Sequence, residues 1–362
     1  MPPSLLESAV EYLGENHTLA LLGMVVGAAF GFLAQRSRFC LRSAVIEFAR
    51  NLTGGKLTVW LFAFSTAVLA TQLLALLGMF DASESRQLSA RGSLSGAAVG
   101  GALFGMGMTL ARGCSSRLLV LAAQGNLRSL VSGLVFAVAA QAAWTGVLSP
   151  VREVISAWWT VDGGVSRDLL ARSGIGHMGA LCFGLVWLAA AVVWARRQHV
   201  ATWAWAGAIG VGLTIAAAWW ATYAISRVSF DPHPIQSLSF TGPSAEVLSR
   251  VLFITDKPAT FDLALVPGVF LGAFIAAALS GELKLEGFQG GAGMRRYLLG
   301  AMCMGFGGML AGGCAVGAGL SGTSVFSLTS FVTLTGMWLA GALTDRLMDQ
   351  HPSADSLATK QP

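Results

Sequence analysis

The chain has 362 residues, 54% of them hydrophobic and only 11% charged, with a formal net charge of +5. Its mean hydropathy of +0.66 and its low charge, against about 25% charged residues in soluble domains, exclude a water-soluble globule. The 45 glycines show no three-residue period, which excludes a collagen, and the apolar runs are continuous over about twenty residues, the length of a bilayer-spanning helix, rather than alternating as in a barrel strand.

In chain order the apolar runs fall near 17–34, 57–80, 92–111, 127–148, 174–195, 202–223, 261–280, 294–311 and 325–344. The reading is an all-α polytopic membrane protein with about nine transmembrane helices. Glu7, Glu11 and Glu15 precede the first run and no Lys or Arg does, the reverse of a signal peptide's basic leader, so that run is expected to stay as a span. With the N-terminus outside, fifteen of the 23 Lys and Arg fall in inward-facing segments and eight in outward-facing ones. Cytoplasmic loops carry that excess, so the expected orientation is N-out/C-in. The segments 149–173 and 224–260, with turns at Asp162-Gly163-Gly164 and Asp231-Pro232-His233-Pro234, read as solvated outer connectors. Residues 346–362 read as a polar cytoplasmic tail, and 1–345 as one transport domain with halves at about 17–148 and 174–345.

Residues 100–114 and 300–314 are identical at seven of fifteen positions, among them Gly107/Gly307, Gly113/Gly313 and Cys114/Cys314. A duplication is expected. The first copy lies on the third span and the second on the eighth, so the copies run in opposite directions. An inverted repeat of this kind characterises transporters whose site lies near the bilayer midplane, where broken helices meet. Each copy ends in Gly-Cys and is followed by a stretch too short to span, 115–124 and 315–324, and these read as short re-entrant helices, with Gly113 and Gly313 freeing the backbone at the junctions. Gly105, Gly107, Gly305 and Gly307 read as close-packing positions.

Cys40, Cys114 and Cys314 all lie where a span breaks. Cys182 and Cys303 lie mid-helix among apolar residues and read as packing. Five cysteines with no C-x-x-C pair argue against a disulfide framework or a zinc site, and no metal or cofactor is expected. Three thiols near Arg36, Arg38, Arg42 and Arg112 point to an anion carrying soft sulfur, because thiols are weak hydrogen-bond donors and weak, repeated sites are what conduction requires. A membrane thiol-redox enzyme or sulfurtransferase is the competing class, although such enzymes usually keep their thiols adjacent in sequence. The five histidines are scattered and carboxylates are nearly absent from span interiors, against a metal pathway or a carboxylate proton relay.

The segments Gly31 to Ser43, Gly105 to Cys114 and Gly305 to Gly322 resemble those of the YeeE/YedE family of sulfur-transport membrane proteins, over about residues 17–345. The resemblance implies a non-enzymatic, multi-pass transporter of the bacterial inner membrane that takes up thiosulfate. It implies that the anion is handed along Cys40, Cys114 and Cys314 at a constriction between two positively lined funnels; beside these, the reading of the residues themselves adds Arg38, Gly113 and Gly313 as substrate-binding or translocation candidates. It also implies a small TusA-like cytoplasmic sulfur-carrier protein as partner, with no role for nucleic acid. A selenium-containing or other reduced-sulfur anion is the alternative cargo.

Overall fold

The computed structural model describes residues 8, 10–51, 54–229, 233–253, 258–287 and 291–349. Glu7, Asp231, Pro232, Lys257 and the tail from Gln350 lie outside the described residues. A helix covers each of the nine apolar runs. They are α1 (Glu15–Ser37), α3 (Lys56–Leu76), α5 (Leu94–Leu110), α7 (Leu127–Trp144), α10 (Gly176–Arg197), α11 (Thr202–Ser226), α13 (Phe261–Leu279), α14 (Gly291–Leu310) and α15 (Leu328–Asp349). Shorter helices stand between them: α2 (Leu41–Ala49), α4 (Arg86–Ser89), α6 (Ser115–Ala123), α8 (Ser149–Ala157), α9 (Leu169–Ser173) and α12 (Thr241–Leu252). Among the described residues, seven segments are long and apolar enough to cross a membrane, with α1 and α2 forming one of them and α5 and α6 another. This makes a multi-pass helical membrane protein.

Local chemistry sets the helix starts. Ser93 Oγ accepts from Gly96 N–H at α5, Asn126 Oδ1 from Ser129 N–H at α7 and Thr260 Oγ1 from Leu263 N–H at α13, each satisfying an orphan donor of the first turn. At α3 the cap comes from a distance, as the buried Glu47 carboxylate accepts from Lys56 N–H at 2.9 Å and Leu57 N–H at 3.2 Å.

Small residues let the long helices approach to backbone contact, the usual way membrane helices associate. Gly23, Gly27 and Gly31 of α1 face the carbonyls of Phe261, Leu265 and Val269 on α13, and Gly268 and Gly272 return the contact to Met24 and Ala28. The centre is the crossing of α5 and α14. A Cβ on Gly100 would lie 2.5 Å from Gly307 O, and one on Gly300 would lie 2.7 Å from Gly107 O. The remaining contacts come in matched sets: α1 packs on α13 as α11 packs on α3, and α5 packs on α15 as α14 packs on α7. Helix α10 stands outside this scheme, packed on α3.

Three expectations need correction. The segment 149–173, although mostly exposed, is more than a connector: it holds α8, a two-residue strand β2 (Thr160–Val161) paired antiparallel with β1 (Gly92–Ser93), and α9, and it buries Arg167 and Leu170. Within 224–260, residues 235–240 run extended through the interior. Ile235, Gln236, Ser237, Leu238 and Phe240 are buried, and the Leu238 carbonyl accepts from Ser321 Oγ at 2.7 Å, so this run is part of the protein interior. Residues 346–349, assigned to a tail, continue α15 because Asp345 and Arg346 tie its end to Arg50 and to the Ala49 carbonyl.

Candidate translocation site

Each of the three helix breaks is the same hydrogen-bonded corner. Arg38, Arg112 and Gly312 take left-handed φ values of 53°, 56° and 75°. Their N–H groups bond three residues back, to the carbonyls of Gln35, Thr109 and Met309, and the following N–H groups of Phe39, Gly113 and Gly313 bond five residues back, to Ala34, Met108 and Gly308. This is a Schellman-type helix stop. The third residue of each corner is the cysteine, and the carbonyls of Cys40, Cys114 and Cys314 open the next turn by accepting from Ala44, Leu118 and Ala318. After the first two corners come α2 and α6, each nine residues and so about 13 Å long, and after the third comes the π-helical turn Gly317–Gly322.

The three thiols are buried but are not equivalently placed. Cys40 and Cys114 are neighbouring side chains, and Cys114 Sγ lies 3.5 Å from Ser116 Oγ. Cys314 Sγ accepts from Phe240 N–H at 3.3 Å and from Gly317 N–H at 3.4 Å. Phe30 connects the two positions, its ring centroid 6.4 Å from Phe39 and 5.3 Å from Phe240. Of the two other cysteines, Cys303 is half-buried, whereas Cys182 is exposed on α10 and does not pack in the core.

The expected glycines divide. A Cβ on Gly313 would lie 2.9 Å from Ala318 N, so that corner requires glycine, whereas at Gly113 the nearest atom is a flexible Leu118 methyl at 3.3 Å. Arg38 turns away from the thiols to pair with Glu282 at 3.3 Å, with most of its side chain exposed. Arg42 and Arg117 instead lie within electrostatic reach of Cys40. Arg42 Nε and Arg117 Nη1 are buried without a protein partner. Arg117 was missed in the sequence, although its place three residues after Cys114 at the start of a short helix was a readable signal. Arg112 and Arg128 lie over the Tyr297 ring at 5.8 and 4.7 Å, widening the basic region around the Cys40–Cys114 pair. At the opposite end, beside the Cys314 corner, a cavity of about 440 Å3 is lined by Arg86, Arg91, Arg167, Gly312, Gly317 and Thr329, among others. Among the described residues, no group of three or more His, Cys, Asp or Glu side chains could hold a metal ion.

Long apolar helices, three helix breaks that each end in a buried cysteine, and arginines near those breaks define a membrane protein with polar interruptions in an apolar interior. The chain belongs to the sulphur transport family, whose sequence model matches residues 36–344. It is similar to the thiosulfate transporter TsuA of Escherichia coli (strain K12), with 25% identity covering 90% of this chain and 95% of that protein. It is also similar to the thiosulfate transporter TsuA of Spirochaeta thermophila, with 26% identity covering 87% and 96% of the two chains.

Proposed function

We propose that this chain takes up thiosulfate across the bacterial inner membrane, passing the anion from the cavity beside Cys314 to the Cys40–Cys114 pair and out through the basic region around Arg42 and Arg117. Nine helices cross the membrane in this reading, N-out/C-in, with α14 and α15 as the eighth and ninth spans. The two halves form an inverted repeat. The reciprocal approach of Gly100 to Gly307 and of Gly300 to Gly107 supports it, because a local two-fold axis between antiparallel copies produces such swapped contacts.

The observation that carries the path is the identical corner before each of Cys40, Cys114 and Cys314. Packing alone does not require a thiol at the end of three such corners. Each thiol offers a weak donor to a soft sulfur, and arginines supply attraction without a fixed deep well. Gly113 and Gly313 shape the corners, and Arg38 acts from the rim through its charge. A small TusA-like carrier receives the anion on the cytoplasmic side.

The test is growth of a cell unable to use sulfate, with thiosulfate as sole sulfur source, rescued by this chain and by its Cys40→Ala, Cys114→Ala and Cys314→Ala variants. Rescue by the wild type and sharply reduced uptake in each inserted variant are expected. Normal uptake in all three refutes the thiol path, and no rescue by inserted wild type refutes thiosulfate as cargo. The proximity of Cys40 and Cys114 favours a second reading, thiol–disulfide chemistry at that pair. Mass spectrometry under non-reducing conditions separates them, because a transporter leaves both thiols free after turnover.

A further inference from the structure

We propose that the cavity beside Cys314 is a discrete receptor for a small divalent oxyanion, with Arg167 as its charged anchor. The inference rests on the transport reading and adds to it an outer station ahead of the thiols.

Arg167 is only 7% exposed. Its Nη1 donates to Ala90 O at 2.6 Å and its Nη2 to Thr329 Oγ1 at 2.7 Å, while its Nε is buried with no partner. Both acceptors are neutral, and among the described residues no carboxylate pairs with this guanidinium. Of the other arginines on the cavity wall, Arg91 pairs with Asp162 at 3.8 Å and Arg86 lies in the field of Asp262. Among the described residues, no carboxylate lines the cavity. A buried charge held only by neutral groups is costly unless a counter-charge arrives, and here the open space beside it lies toward the Cys314 corner. The missing counter-charge is therefore a ligand.

The position is built rather than incidental. Arg167 O accepts from Leu328 N–H at 2.8 Å and Leu169 N–H donates to Phe326 O at 3.1 Å, so the segment is stitched to the exit of the π-helical turn. Gly92, on the cavity wall, makes room for the side chain, because a Cβ there would lie 2.6 Å from Arg167 Nε. A guanidinium presents several donors in one plane and suits an oxyanion better than an ammonium does. With three arginines the cavity would also raise the local anion concentration.

The experiment uses the full chain, reconstituted for uptake and in detergent for calorimetric titration with thiosulfate. Arg167→Gln is expected to raise KM and weaken binding by about ten- to a hundredfold, as loss of charge-assisted hydrogen bonds does, while the maximal rate changes by less than about twofold. Cys314→Ala should instead lower the maximal rate. Arg167→Lys should fall between wild type and Arg167→Gln, and Gly92→Ala, which displaces the guanidinium, should raise KM without removing a charge. Should Arg167→Gln fail to fold, Arg167→Lys and Gly92→Ala decide the question. Unchanged KM and affinity in the folded variants overturn the proposal. Absence of uptake by wild type that still binds thiosulfate through Arg167 would sink the transport reading and leave the receptor standing.

Discussion

The crossing of α5 and α14 offers a sharp test, because the same substitution should have opposite effects at different glycines. In Gly107→Ala the new Cβ would lie 2.5 Å from Gly300 O and 2.7 Å from Met304 N, and in Gly307→Ala 2.7 Å from Gly100 O and 2.8 Å from Phe104 N. The facing atoms are main chain, so no side chain can swing aside, and the helices must part by roughly 1 Å to regain ordinary contact near 3.5 Å. Overpacking of this kind costs about 1–3 kcal/mol, and each kcal/mol is worth roughly 2 °C of thermal midpoint in a chain of this size. An alanine methyl at Gly133 on α7 would have nothing within 4 Å, so Gly133→Ala should gain about 0.5–1 kcal/mol from helix propensity. Thermal unfolding in detergent therefore separates the two classes by sign. Uptake should fall only at the crossing, since α5 and α14 end in the corners that hold Cys114 and Cys314. The Gly107→Ala/Gly307→Ala double variant should lose less than the sum, because one separation relieves both clashes. Equal thermal shifts for Gly107→Ala and Gly133→Ala would refute the reasoning.

Gln72, fully buried on α3, donates to Ser324 O at 2.7 Å and lies 2.8 Å from His177 Nδ1. Gln72→Leu should therefore cost about 1–3 kcal/mol through stranded partners, read as a lower thermal midpoint with reduced uptake, and an unshifted midpoint would contradict it. Arg38→Gly relieves a left-handed side-chain residue, worth about 1–2 kcal/mol, and gives up an exposed ion pair worth about 0–1 kcal/mol. Its thermal midpoint should hold or rise while KM increases modestly, and a marked loss of stability would show the Glu282 contact to be stronger than its exposure suggests.

Much of the candidate site was legible because its signals are local. A broken apolar run has a length, and a cysteine repeated at such breaks in both halves stands out from composition; the left-handed residue itself was hidden at two corners, where it is Arg38 and Arg112 and only the third has glycine, Gly312. Pairing was not legible. The long helices are apolar nearly all round, so periodicity does not say which face meets which partner. Nothing along the chain distinguishes Cys40 beside Cys114 from Cys40 beside Cys314. Arg38 precedes a candidate thiol and faces Glu282, whereas Arg117, which in sequence only adds to the inward-facing basic residues, lies near both Cys40 and Cys114. The run 235–240 looked like part of a loop because it has no helical pattern, yet Thr222 and Ser321 satisfy its Gln236 and Leu238 carbonyls and Ser237 Oγ donates to Ile215 O, contacts between residues that only the fold brings together.

Taken alone, the order of residues determined the solvent this chain lives in, where its helices run and break, and the kind of side chain placed at each break, because hydropathy and backbone preference act over a few neighbours. Only the tertiary structure decided which corners meet, which arginines keep a free charge beside a cavity and which loops turn inward. Those outcomes depend on backbone approaches of a few ångströms between helices far apart along the chain.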